Sequence, residues 1–86
     1  MEENKHVVYI VKCKDESLYT GYTNALINRL KQHSAGKGAK YTRGRGPFIL
    51  VYIQTFETRQ AALREEYRIK QLSKKQKWKL ILEGGR

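Results

Sequence analysis

Residues 7–22 read VVYIVKCKDESLYTGY. The run Val7–Cys13 is β-branched and aromatic and almost continuous rather than alternating, the pattern of a central strand buried on both faces. SLYTGY repeats the strand chemistry, and the short polar KDES between the two runs makes them a hairpin. Beyond Tyr22 the period changes. Thr23 or Asn24 can cap a helix whose apolar stripe is Leu26, Ile27 and Leu30, with Gly36 or Gly38 as its stop.

The rest of the chain extends this frame. Residues 36–47, GKGAKYTRGRGP, are too irregular for either period and long enough to be functional. FILVYIQTF (48–56) supplies a third strand. Thr58 is placed to cap a second helix with Ala62, Leu63, Tyr67, Ile69 and Leu72 at helical spacing. Ser73 restarts the pattern, so that a short third helix packs Trp78, Ile81 and Leu82 inward and shows its lysines outward. The order β-β-α-β-α-α describes an α/β (α+β) domain in which helices flank a small, three-stranded, mostly antiparallel sheet. With 86 residues, one domain over 1–86 with its core at about 7–82 is expected.

Composition narrows the chemistry. Eighteen Lys and Arg against eight Asp and Glu give a formal charge of +10, spread along the chain rather than gathered in a tail. That balance favours a polyanionic partner, nucleic acid first. No long apolar run, lipidation signal or signal peptide points to a membrane, so a cytoplasmic protein is expected. The single Cys13 cannot form an internal disulfide, and with His6 and His33 alone beside it no zinc cluster can be composed.

Arg29 and His33 stand one helical turn apart, bordering the apolar stripe, where an arginine can clamp a phosphate and a histidine can donate a hydrogen bond or exchange a proton. On the second helix Glu66 falls between Ala62, Leu63 and Ile69, on the arc that faces the sheet, and Glu65 lies at its other edge. A carboxylate there needs a cation from another element, an arginine for instance, or a metal ion. The remaining acids lie at the termini, in the hairpin turn, or ahead of a helix. That leaves too few for a two-metal cluster and points to one hard cation at most, Mg²⁺ or Mn²⁺. The glycine-rich stretch offers Lys37, Lys40, Arg43 and Arg45 with Tyr41, a composition suited to a phosphate backbone and a stacked base, without the spacing of a Walker A loop. Lys74, Lys75, Lys77 and Lys79 form a second candidate contact surface.

VVYIV followed ten residues later by YTG, an arginine eight positions beyond that glycine, a histidine four further on, and the later ALREEY together resemble the GIY-YIG nuclease superfamily. The resemblance covers roughly residues 7–82 and is closest to its short bacterial members. By position it makes Tyr9, Tyr19, Arg29, His33 and Glu66 the site residues, with Val7 where the first triplet has glycine and Tyr22 where some members have lysine. Glu66, not Glu65, matches the metal-binding glutamate. The resemblance implies hydrolysis of a nucleic-acid phosphodiester by water, with DNA favoured over RNA as partner and room for a partner protein in targeting. Arg29 and one cation on Glu66 would meet charge developing at phosphorus, while Tyr9 or Tyr19 would act as base. Gly21 would permit close approach between strand and helix. A non-catalytic or partner-dependent binding module of the same fold uses nearly the same residues, and a small RNA-associated protein is a third reading.

A shared role for Tyr9 and Tyr19 carries a geometric requirement. Side chains alternate along strands, so a two-residue loop at Asp15 and Glu16 would put the two phenols on opposite faces of the sheet. An odd-length connection or a bulge is therefore expected.

Overall fold

A computed structural model describes residues 5–34 and 47–84. The elements are β1 (His6–Lys12), β2 (Leu18–Thr23), α1 (Leu26–Ser34), β3 (Ile49–Phe56), α2 (Arg59–Lys70) and α3 (Lys74–Leu82). They form a three-stranded sheet in the order β2-β1-β3, antiparallel throughout, with the expected β-β-α-β-α-α succession. β1 is central, and Val7, Val8, Tyr9, Ile10 and Val11 are all buried, which accounts for the missing alternation in its sequence.

The connection between β1 and β2 has the odd length that the two tyrosines require. Lys12 pairs with Leu18, and the Cys13 amide donates to the Ser17 carbonyl at 2.9 Å, so Lys14, Asp15 and Glu16 form a three-residue loop. The Glu16 amide closes the turn on the Cys13 carbonyl at 3.0 Å, and Glu16 itself takes the left-handed conformation at φ 71°. This is the familiar three-residue hairpin, a tight turn followed by one left-handed residue. Tyr9 therefore pairs with Gly21 and Val11 with Tyr19, which puts both phenols on one face. A bulge does occur, but between β1 and β3, where Ile10 pairs with Tyr52 and Val11 with Leu50.

The opposite face of the sheet carries the main core. Val8, Ile10, Leu18 and Tyr52 pack there with Ala62 and Ile69 of α2, and Leu72, Trp78, Leu80 and Ile81 close around them. The caps predicted for α2 and α3 are present. Thr58 Oγ1 accepts from the Ala61 amide at 3.1 Å, and Ser73 and Gln76 form a reciprocal capping box at the start of α3.

Three residues expected on buried stripes lie elsewhere. Tyr67 is 69 % exposed, Leu82 80 % and Ile27 46 %. Tyr67 lies well round α2 from the buried Ala62 and Ile69, beyond the arc that the sheet covers. Leu82 is the last residue of its helix, past the reach of the core, and of the apolar stripe of α1 only Leu26 and Leu30 turn partly inward. The proposed helix stop at Gly36 or Gly38 lies outside the described residues.

Because a left-handed conformation disfavours any residue with a Cβ, Glu16→Gly should raise the unfolding free energy by about 0.5–1 kcal/mol. The exposed Lys12–Glu16 pair that it removes, 3.5 Å long, subtracts little. Urea denaturation provides the check, and an unchanged or lower midpoint would contradict the loop assignment.

Candidate functional site

Tyr9 is the centre of the site. It projects from the middle of β1, is 1 % exposed, and its hydroxyl is hydrogen-bonded to His33 Nε2 at 3.0 Å. His33 comes from the last turn of α1 and is equally buried. The imidazole meets the Tyr9 and Tyr19 rings edge-on, with centroids 5.9 and 5.6 Å away, and the two phenol rings are 6.4 Å apart. Phe48, just ahead of β3, adds a fourth aromatic wall 5.7 Å from His33.

Gly21 makes this arrangement possible. A Cβ built there would lie 2.5 Å from Tyr9 Oη, 2.7 Å from Tyr9 Cζ and 3.0 Å from Tyr19 Cε2. The glycine is thus required by the ring of Tyr9, which lies across the backbone of β2. This corrects the expectation that it serves close packing of strand against helix.

The charges of the remaining predicted residues act on the same hydroxyl. Burial pushes the Tyr9 phenol up from the ordinary tyrosine range, the neighbouring Tyr19 adds to this, Arg29 opposes it, and the Glu66 carboxylate raises it further. Tyr9 is therefore held firmly protonated. Burial, reinforced by Arg29, pushes the His33 imidazole down, so it is neutral in the folded protein near pH 7. Tyr9, Tyr19, Arg29, His33 and Glu66 are electrostatic neighbours although they come from β1, β2, α1 and α2.

The two glutamates of α2 differ in what holds them. Arg68 grips Glu65 with two hydrogen bonds, Nε–Oε1 at 3.0 Å and Nη2–Oε2 at 2.6 Å, and that contact holds the Glu65 carboxyl below the usual range. Glu66 has instead Lys70 Nζ at 3.0 Å, one turn along its own helix, with the lysine side chain 47 % exposed. Glu66 is thus paired with a lysine of its own helix rather than with an arginine from another element. A partly exposed lysine pair of this spacing is typically worth only about 0.3–0.5 kcal/mol, so a stronger cation can displace it.

Among the described residues no group of three or more His, Cys, Asp and Glu could enclose an ion. A single carboxylate whose charge reaches the Tyr9 phenol suits a hard cation that keeps most of its waters and shares substrate oxygens, as Mg²⁺ and Mn²⁺ do. Two groups of candidates fall away from this centre or outside the described residues. Tyr22, beside the second triplet, bonds His6 Nδ1 through its hydroxyl at 2.9 Å and packs on the core side of the sheet. Lys37, Lys40, Tyr41, Arg43 and Arg45 lie outside the described residues. Sequence reasoning passed over Phe48, which no motif marks, and Lys70, which its four-residue spacing from Glu66 could have revealed.

The fold and this cluster define a class. The family model for the GIY-YIG catalytic domain matches residues 5–80, and the chain belongs to that family. Within it the chain is similar to the UPF0213 proteins. One, from Oceanobacillus iheyensis, is 58 % identical over 79 residues, covering 92 % of each chain. The solution NMR structure of a UPF0213 protein from Bacillus halodurans superposes with a TM-score of 0.64 at 52 % identity, covering 94 % of this chain and 86 % of that one. A second NMR structure, of a protein from E. faecalis, gives a TM-score of 0.61 at 39 % identity over 88 % of this chain and 82 % of that one.

Since no side chain fits at position 21 without moving Tyr9, Gly21→Ala should lower stability by about 1–3 kcal/mol. It should also break the Tyr9–His33 bond. Denaturant titration and the ring resonances of His33 test both. A stability within about 0.5 kcal/mol of the parent, with an unshifted imidazole, would show that the rings do not need the glycine.

Proposed function

We propose that this protein is an endonuclease that hydrolyses nucleic-acid phosphodiester bonds at the Tyr9–Tyr19–Arg29–His33–Glu66 cluster, assisted by a single Mg²⁺ or Mn²⁺. The observation that carries this reading is the Tyr9–His33 hydrogen bond with Tyr19 packed against both rings, supported by the charges of Arg29 and Glu66 acting on the Tyr9 phenol. Membership of a catalytic domain family associated with nuclease activity supports it. The charge of +10 gives the polyanionic substrate a long-range attraction.

Each residue has a task that its surroundings suit. Arg29 binds the scissile phosphate and offsets negative charge as it builds on the phosphoryl oxygens. Glu66 would hold the divalent ion, releasing Lys70 as it does so. When bound, such an ion supplies Lewis-acid charge to the same oxygens. Tyr9, kept protonated by burial, is unsuited to accept a proton and instead donates a hydrogen bond towards phosphate or water, its ring fixed by Gly21 and His33. Tyr19 is only partly buried and is the phenol we assign as base: acting as its phenolate, it would take the proton of the attacking water and become the neutral phenol. His33, neutral and enclosed by aromatic rings, fixes the direction of the Tyr9 hydroxyl.

Purified protein incubated with DNA and RNA substrates and Mg²⁺ or Mn²⁺ should cleave, and chelation should stop it. Arg29→Ala and Glu66→Gln should each lower the rate at least about 100-fold. Tyr19→Phe should fall further than Tyr9→Phe. Undiminished cleavage by Glu66→Gln would place the activity elsewhere, and salt-sensitive binding with no cleavage of any substrate would assign the fold to binding alone.

A further inference from the structure

On the core side of the sheet, Ser17 and Leu18 at the start of β2 face Lys74 and Lys77 of α3 across an open pocket of about 230 Å³. Water occupies about 30 Å³ per molecule, so the pocket has room for a phosphate group with some of its hydration. Lys74 and Lys77 are three residues apart and lie on one side of the helix. Among the described residues, neither has a carboxylate within ion-pair distance; Glu16 pairs with Lys12, Glu65 with Arg68 and Glu66 with Lys70. Lys77 is also partly withdrawn from water. Burial and then the charge of Lys70 push its ammonium down from the ordinary lysine range. Two lysines with no ion-pair partner among the described residues thus line one concave space, Lys74 exposed and Lys77 partly withdrawn from water, an arrangement that an anion relieves. The hairpin wall contributes shape rather than donors, because the Ser17 hydroxyl and amide both bond Asp15 Oδ1, at 2.6 and 3.1 Å.

The pocket is connected to the site by charge. Lys70, whose field acts on Lys77, is the residue that touches Glu66. Lys70 thus neighbours Lys77 by its charge and the carboxylate assigned to the metal ion by direct contact. We propose that the Lys74–Lys77 pocket is a second phosphate site, which holds a backbone phosphate of the nucleic acid outside the scissile one. The inference rests on the nuclease reading for the identity of the strand but not for the chemistry of the pocket. It also divides the lysines of α3, since Lys75 and Lys79 do not line the pocket and are left as solvated charge.

That division gives the test its control. A Lys74→Gln/Lys77→Gln variant and a Lys75→Gln/Lys79→Gln variant remove the same charge from the same helix. Binding of the full chain to a short oligonucleotide, followed by fluorescence anisotropy without divalent ions over a range of salt, compares them apart from any cleavage. The pocket variant should bind at least about tenfold more weakly, with a salt slope smaller by roughly one phosphate contact, while the control changes less than about threefold. Inorganic phosphate titrated against the lysine side-chain NMR signals separates the sources of the anion. An oligonucleotide effect without a response to millimolar phosphate assigns the pocket to a backbone phosphate. A saturable response of Lys77 to phosphate alone, lost in the pocket variant, assigns it to a free phosphate. Equal affinities and equal slopes for the two variants, with no phosphate response, would overturn the site whether or not the parent cleaves. Undiminished cleavage by Glu66→Gln, with the lysine results intact, would sink the nuclease site and leave the pocket standing.

Discussion

The site depends on one close approach, the ring of Tyr9 lying across Gly21. The phenol leaves the central strand, crosses the backbone of its neighbour where no side chain stands in the way, and reaches His33 on α1. Without that gap the ring would have to turn away, and His33 would lose the hydroxyl that meets Nε2. The hairpin supplies the other half of the constraint. Its three-residue loop sets the register that brings Tyr19 to the same face, and Glu16 accepts a left-handed backbone to close it.

Electrostatics then separates residues that look alike in the sequence. Tyr9 and Tyr19 are both strand tyrosines, yet burial and a nearby carboxylate keep the first protonated. Glu65 and Glu66 are adjacent, yet a bidentate arginine occupies one and a single lysine the other. For the glutamates the difference comes from a partner one helical turn away, for the tyrosines first from burial, and it decides which group has chemistry left to offer. On α3 it is the pocket that distinguishes Lys74 and Lys77 from the other lysines, which lie outside it as solvated charge.

Much of this fold is legible in residue order. The continuous apolar run of β1 describes a strand buried on both faces, and Thr58 and Ser73 mark helix starts because their hydroxyls satisfy amides that the helix leaves open. The spacing of Arg29 and His33 on α1, and the place of Glu66 on the inner arc of α2, follow from the helical period alone. What periodicity does not specify is how far the core extends. Tyr67 and Leu82 keep the helical rhythm but lie beyond the area that a three-stranded sheet can cover. Nor can it specify the purpose of Gly21, since the contact that demands a glycine comes from a tyrosine twelve residues earlier. The Glu65–Arg68 and Glu66–Lys70 pairings were accessible from spacing, but choosing between them needs side-chain geometry.

The central claim is that Glu66, placed beside the two phenols, holds a divalent ion. Titrating isotopically labelled protein with Mn²⁺ and following paramagnetic broadening tests it without substrate. Broadening should centre on α2 around Glu66 and extend to Tyr9, Tyr19 and Gly21 on the sheet, and it should disappear in Glu66→Gln. Broadening centred instead on Asp15 and Glu16, or an undiminished effect in Glu66→Gln, would contradict the account.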